Sequence, residues 1–149
     1  MMTSIIIWAG IFIFLNCLDV ITTYAGMSGY SLEEMQKKEL NPFVSKIIQN
    51  RFLTSGMKLF MVGRLLVVLL VFYRGYAISL LQFLSIAIAL VVLNNIHATW
   101  AEKHQRMSLG KVFIERLHIP KTITYFLLTS LVSLLSLVVM VIGYQITGS

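Results

Sequence analysis

Cysteine and charged residues are scarce in this sequence. Cys17 is the single cysteine in 149 residues, which excludes an intrachain disulfide framework and a multi-cysteine zinc or iron–sulfur site. Asp, Glu, Lys and Arg make up 12% of the chain and apolar residues 58%. A soluble domain usually carries about 25% charged residues. The composition therefore excludes an ordinary soluble domain and indicates a membrane protein.

Short motifs of common enzymes are also absent from the sequence. It contains no His-Glu-x-x-His zinc motif, no nucleophile elbow and no glycine loop that would hold a phosphate. A membrane-embedded enzyme that acts on lipid at the inner leaflet is still one hypothesis, with Asp19 or His97 as a general base. The sequence assigns no catalytic residue, and whether the protein is an enzyme stays open.

Four apolar runs are long enough to cross a bilayer. A hydrocarbon core needs about 20 mostly apolar residues per helix, and backbone groups in lipid must be hydrogen-bonded within the span. The sequence therefore predicts an all-α, integral membrane bundle that forms one polytopic domain over residues 1–149. The four predicted transmembrane helices are Ser4 to Ala25, Phe52 to Tyr73, Ala77 to Trp100 and Thr122 to Gln145.

Basic residues lie almost entirely on one side of the predicted bundle. The first and third loops carry nine of them, whereas the second loop has only Arg74. Positively charged loops stay in the cytoplasm, so we expect a multi-pass protein of the plasma or inner membrane with both termini extracytoplasmic. Anionic inner-leaflet headgroups are the expected partner, and nucleic acid is not, because the basic residues form no single patch. The nine are Lys37, Lys38, Lys46, Arg51, Lys103, Arg106, Lys111, Arg116 and Lys121.

Both basic loops have the pattern of short helices that lie on the membrane surface. Asn41 followed by Pro42 is typical of a helix start, and apolar residues recur at helical spacing after it. In the third loop an apolar stripe lies opposite basic residues. The sequence predicts interfacial helices from Pro42 to Asn50 and from Ser108 to Leu117.

Ionisable side chains inside the spans need compensation, because each costs about 2.5 to 3.5 kcal/mol at a helix centre. Asn16, Asp19 and Thr23 fall on one face of the first span. At 1.5 Å per residue, Asp19 and Lys58 both lie about 9 Å from the inner ends of their spans. We therefore predict that these two residues are close in space. Arg64 lies about 18 Å in and is the alternative partner of Asp19.

A polar pocket open to the cytoplasm is the wider prediction. The third span ends in polar residues at a similar depth, and Glu39 and Asn41 are expected at the inner mouth. Oxygen ligands of this kind suit a hard cation, with Asp19 and Glu39 as its candidate ligands. The alternatives are that Glu39 only caps a helix and that Asp19 forms a structural salt bridge. The predicted pocket comprises Asn16, Asp19, Thr23, Glu39, Asn41, Lys58, Arg64, Asn94, Asn95 and His97.

Part of this set resembles a known sequence pattern. The first two spans and the loop between them are similar to an uncharacterised family of small polytopic membrane proteins, a domain of unknown function. The resemblance implies a helical membrane protein and supplies no activity. It also suggests that Asp19, Thr23, Glu39, Asn41 and Lys58 belong to one constellation. The residues that carry it are Asn16-x-x-Asp19-x-x-x-Thr23, then Glu39-x-Asn41-Pro42, then Lys58.

Two further functions compete with the enzyme hypothesis. Coupled charges at one depth favour the binding or transport of a cation or proton. Four spans are few for a transport pathway, so a homo-oligomer would be expected. The other hypothesis is an accessory subunit or scaffold that pairs with the helix of a membrane protein partner, which would explain Arg64 without any chemistry.

Overall fold

The computed structural model describes residues 2–39, 41, 44–48, 50–72 and 76–147. Helix is the only regular secondary structure in these ranges, so the all-α prediction is confirmed. The elements are α1 (Met2–Gly26), α2 (Leu32–Lys38), α3 (Val44–Ile47), α4 (Arg51–Phe72), α5 (Ala77–Lys103), α6 (Leu109–Lys111), the π-helical turn (Val112–Arg116) and α7 (Lys121–Thr147).

Four of the helices are long and apolar enough to cross a membrane, as predicted. Their mean hydropathies run from 1.8 to 2.5. Most of their large apolar side chains are exposed on the outside of the bundle, where lipid would cover them. The chain is therefore a multi-pass membrane protein. The candidate spans are Thr3–Gly26, Arg51–Val71, Ala77–Lys103 and Lys121–Gln145; Tyr73 and Arg74 lie outside the described residues.

Helices α1 and α5 form the central pair and run parallel. Ile5 and Leu81, near the starts of the two helices, share one apolar core. Further along, Asp19 is hydrogen-bonded to Asn95. Apart from Ala101 near the end of α5, steps of three, four or seven residues separate the buried positions on each helix, which keeps them on one face. These positions are Ile5, Phe12, Asn16 and Asp19 on α1, and Ala77, Leu81, Ser85 and Val92 on α5.

Helices α4 and α7 pack on this pair in the opposite direction. Val62 and Leu69 of α4 join the apolar core around Phe12. On α7 the Tyr144 hydroxyl lies 3.1 Å from Ser79 Oγ, near the start of α5. The end of the bundle where α1 ends and α4 begins carries the loops 27–50 and 104–120, and we call it the basic end.

The two basic loops contain helical segments, as predicted. Helix α3 lies within the predicted range 42–50, of which Pro42, Phe43 and Gln49 are outside the described residues. In the third loop, α6 and the π-helical turn fill the predicted range 108–117, with Ser108 as the N-cap. Helix α2 was not predicted. It begins with a capping box, in which Ser31 and Glu34 each accept a hydrogen bond from the other's backbone.

Candidate functional site

The buried polar face of α1 is the starting point of the candidate site. Asp19 is 8% exposed and Asn16 is 2% exposed, although both are polar. Asn16 Nδ2 donates to the Phe12 carbonyl oxygen at 2.8 Å, which satisfies its amide within the helix. This contact lies within α1. The Asp19 carboxylate, in contrast, is reached by side chains from two other helices.

Both carboxylate oxygens of Asp19 accept a hydrogen bond from another span. Lys58 Nζ on α4 donates to Oδ2 and forms an ion pair. Asn95 Nδ2 on α5 donates to Oδ1 at 2.8 Å. Three transmembrane helices therefore meet at one carboxylate. The predicted proximity of Asp19 and Lys58 is confirmed.

Two threonines complete this group. Asn95 Nδ2 also lies 3.2 Å from Thr23 Oγ1 and 3.4 Å from Thr22 Oγ1. An amide nitrogen has two hydrogens for these three acceptors, so Asn95 shares its donors between Asp19 and the threonines. Thr22 Oγ1 in turn donates to the Asp19 backbone oxygen at 3.2 Å. We call Asp19, Thr22, Thr23, Lys58 and Asn95 the Asp19 cluster.

Within the ion pair, the Asp19 side chain is more deeply buried than the Lys58 side chain. The Asp19 side chain is 12% exposed and that of Lys58 is 27% exposed. Burying a charge is costly unless it is paired and hydrogen-bonded. Removing one partner of a buried pair therefore typically costs about 3 to 5 kcal/mol, because the other charge stays behind. Each charge of the pair is therefore compensated by the other.

Arg64 is not part of the Asp19 cluster, so the alternative pairing of Asp19 with Arg64 is wrong. The Arg64 side chain is exposed, and it makes no ion pair with a described residue. Its guanidinium carbon lies 5.8 Å from the Phe60 ring centroid. The reason is the helical register. Arg64 lies about 160° around α4 from the buried Val62, so it faces outward where Lys58 faces inward.

Glu39 and Asn41 make their described contacts elsewhere, at the basic end. Glu39 Oε1 accepts a hydrogen bond from Asn41 N at 2.8 Å. Asn41 Oδ1 accepts from Val44 N at 3.3 Å and thus caps α3. Asn41 Nδ2 donates to the Tyr125 hydroxyl on α7 at 3.2 Å. These contacts support the capping interpretation, and a shared pocket with Asp19 stays a prediction.

A network of charged residues lies at the basic end, around the loop 27–50. This network was not predicted from the sequence. Glu102, in the last turn of α5, binds Lys38 of α2 and lies 3.8 Å from Lys111 Nζ of α6. Lys121 Nζ, at the start of α7, donates to the Gln36 carbonyl oxygen at 2.6 Å. Glu102 is the one acidic residue among the basic residues at the end of the third span, which is the signal that would have found it.

Asn94 and His97 lie beside the Asp19 cluster on α5 without a described contact to it. Asn94 is half-buried and His97 is exposed. The His97 ring centroid is 6.1 Å from that of Trp100, and Trp100 stacks on His104 at 4.6 Å. Arg106 lies over the same indole at 5.3 Å. His97 is therefore part of an aromatic strip on the outside of the bundle.

The cluster has few groups that could hold a metal ion. Within the part of the chain that the structure describes, no group of three or more His, Cys, Asp or Glu side chains is arranged to bind one. Asp19 supplies a single carboxylate, and the positive charge of Lys58 already neutralises it. The arrangement thus brings together a carboxyl group and an amino group, each of which can gain or lose a proton.

A comparison with protein families covers this part of the chain. The family described as Domain of unknown function (DUF5658) matches residues 10–101, which is more than half of the sequence. The chain belongs to the DUF5658 family. The resemblance inferred from the sequence is thereby confirmed. The region that matches DUF5658 contains the whole Asp19 cluster, whereas α6 and α7 lie beyond it. No curated protein and no solved structure gave a significant match.

Proposed function

We propose that this protein binds a proton within the membrane at the Asp19 cluster, as one step of proton or cation transport. The observation that carries the proposal is the buried ion pair between Asp19 and Lys58, held at the junction of three spans. Charged residues inside membrane helices are rare and mark proton and ion pathways. Lys58 would be the internal counter-charge that occupies the site when no external cation does.

A proton suits this site better than a metal ion. Ca²⁺ takes six to eight oxygen ligands and Mg²⁺ requires near-octahedral geometry, but the cluster offers one carboxylate, two threonine hydroxyls and the Asn95 amide beside an ammonium group. A proton needs no such set of ligands. A hard cation bound by Asp19 and Glu39 would first have to displace Lys58, so it is the secondary form of the proposal.

Protonation of Asp19 would change how α1 and α4 interact. A neutral carboxyl group no longer compensates Lys58, whose charge must then find another acceptor or water. Protonation of Asp19 would therefore weaken the contact between α1 and α4. The partial exposure of the Lys58 side chain supports the proposal that protons would reach the pair from its side.

The charge of the loops supports a proposal for the membrane and for the orientation of the bundle in it. The positive-inside rule favours a cytoplasmic basic end in the plasma or inner membrane, with both termini outside. Asp19 would then exchange protons with the cytoplasm, about 9 Å from the end of its span. Exposed basic residues around it would contact anionic headgroups. Because four spans are few for a pathway, we propose that further helices complete it.

The test is proton uptake by the purified protein in liposomes. Infrared difference spectra on lowering the pH would report protonation of a buried carboxyl group, and an entrapped pH dye would report flux. We expect Asp19→Asn to lose both signals. Glu33→Gln is the matched control, because Glu33 forms an exposed ion pair with Lys37 at 2.9 Å in α2.

The outcomes separate a functional pair from a structural one. If folded Asp19→Asn protein keeps the proton flux of the unaltered protein, the proposal is wrong. If the unaltered protein shows the infrared signal but no proton flux, Asp19 binds a proton without transporting it. If neither signal is found, the pair only stabilises the bundle. A cation dependence of either signal would support the secondary form.

A further inference from the structure

An arginine lies on the outward face of α4, amid apolar side chains. Arg64 is exposed, and so are Phe60, Val67 and Gly63 around it. Together with Gly56 these residues span an arc of about 100° of the helix. The buried residues of α4 lie on the opposite side, as shown for Val62. We call this surface the Arg64 face.

Arg64 is far from both ends of its helix. At 1.5 Å per residue it lies about 20 Å from Arg51 and about 12 Å from Phe72. Its guanidinium carbon reaches back over Phe60, one turn nearer the basic end. The side chain thus extends deeper into the apolar span and away from the closer membrane surface, which is the opposite of snorkelling.

Arg64 has no partner for its charge among the residues that the structure describes. Arg64 makes no hydrogen bond or ion pair with any residue that the structure describes. The chain has six acidic residues. Asp19 is the one that lies inside a span and away from its ends, and it already binds Lys58. The others lie in or next to the basic loops. A guanidinium at this depth must therefore find its acceptor outside the subunit.

We propose that the Arg64 face binds a transmembrane helix of a different membrane protein, and that an Asp or Glu on that helix pairs with Arg64. A second copy of this chain fits poorly, because a two-fold arrangement would bring Arg64 against Arg64 and supply no unpaired carboxylate at that depth. Gly56 and Gly63 have open space where a side chain would be. Small residues there would let the partner backbone approach closely.

The proposal does not depend on proton binding by Asp19, and a designed helix can test it. The probe is a synthetic transmembrane peptide of leucine and alanine with one Glu at its centre. Matched peptides carry Gln, Leu or Lys at that position. Energy transfer in phosphatidylcholine liposomes measures their association with the full-length protein, labelled at a cysteine introduced at Met107 in a Cys17→Ser background.

We expect the Glu peptide to associate more strongly than the Leu peptide. Interhelical polar contacts in membranes predict a preference of roughly five- to thirtyfold. Arg64→Leu should abolish it, and Arg64→Glu should transfer it to the Lys peptide. Arg51→Leu is the matched control, because it removes an exposed arginine at the surface end of the same helix and should keep the preference.

Three outcomes would overturn the proposal. One is equal association of all four peptides with the unaltered protein. Another is self-association of the labelled protein that Arg64→Leu abolishes, which would make a second copy the occupant. The third is an effect of Arg64 that appears only when anionic lipid is added, which would assign the residue to a lipid headgroup.

Discussion

Asn95 of α5 binds the carboxylate oxygen of Asp19 that Lys58 leaves free, at 2.8 Å. This contact joins the central pair of parallel helices to the ion pair with α4. The carboxylate is therefore held by donors on two sides, so that its position is set by α4 and α5 together. It also makes Asn95 the residue through which a change in Asp19 would reach the third span.

Replacement of Asn95 should destabilise the bundle more than replacement of its neighbour. Asn95→Ala removes a hydrogen bond to a charged group, a contact worth about 1.5 to 3 kcal/mol. Asn94→Ala is the control, since Asn94 is half-buried and has no described contact to the cluster. Thermal unfolding in detergent micelles measures the difference. Equal midpoints for the two variants would contradict the role given to Asn95.

Asp19 and Lys58 should behave as a coupled pair. We expect Asp19→Asn and Lys58→Met each to lower stability by about 3 to 5 kcal/mol, because each leaves a buried charge unpaired. The double variant should lose much less than the sum of the two. Thermal unfolding of the four proteins completes the cycle, and the same cycle on the exposed pair Glu33 and Lys37 should show little coupling. Additive losses at Asp19 and Lys58 would mean that the two residues act independently.

Hydrophobic patterning is sufficient to predict most of the fold. The four spans follow from the length of apolar runs, since only helices satisfy the backbone in lipid. The proximity of Asp19 and Lys58 follows from depth alone, because two charges at one level of antiparallel helices are within reach of each other. Depth is a one-dimensional quantity that sequence records directly.

Rotation about the helix axes is what the sequence does not record. Arg64 and Lys58 are both charged and within the same span, but only packing decides which of them faces α1. In the same way, Asn95 and Asn94 are adjacent in sequence, and only Asn95 faces the α1 seam. The contacts of Asn41 with Tyr125 join residues 84 positions apart, so no local pattern reveals them.

The orientation of the bundle is tested by labelling from one side. Cysteines introduced singly at Arg106 and Tyr76, in a Cys17→Ser background, lie at opposite ends of α5. We expect a membrane-impermeant thiol reagent added outside intact cells to label position 76 and not position 106, because basic loops stay inside. Position 106 should react once the cells are opened. The reverse pattern would place the basic end outside.

The capping box of α2 should make that helix sensitive to acid. The Glu34 carboxylate accepts a hydrogen bond from the Ser31 backbone N–H, and this bond lowers the pKa of the carboxyl group. The Ser31 side chain lowers that pKa further. A lowered pKa in the folded state stabilises α2 above the ordinary carboxyl value, and this contribution is lost as the pH falls through the folded value. We expect faster amide hydrogen exchange in Leu32–Lys38 on acidification, after correction for the intrinsic exchange rate. The exchange of this segment should depend much less on pH in Glu34→Gln. In Glu33→Gln it should depend on pH as it does in the unaltered protein.

Gly26 should be required for the close approach of α1 and α5 beside the Asp19 cluster. A Cβ atom at this position would lie 2.6 Å from Thr99 Oγ1, so alanine must displace the threonine or separate the helices. We expect Gly26→Ala to lower stability by about 1 to 3 kcal/mol, the usual penalty of overpacking. Gly10→Ala is the control, because a Cβ atom at Gly10 would lie in open space. This substitution also removes a flexible residue from the same helix. The decisive measurement is thermal unfolding of Gly26→Ala combined with Thr99→Ala: removing the hydroxyl makes room for the new methyl group and should restore most of the loss. If the double variant is no more stable than Gly26→Ala alone, contact with Thr99 is not the reason for glycine here.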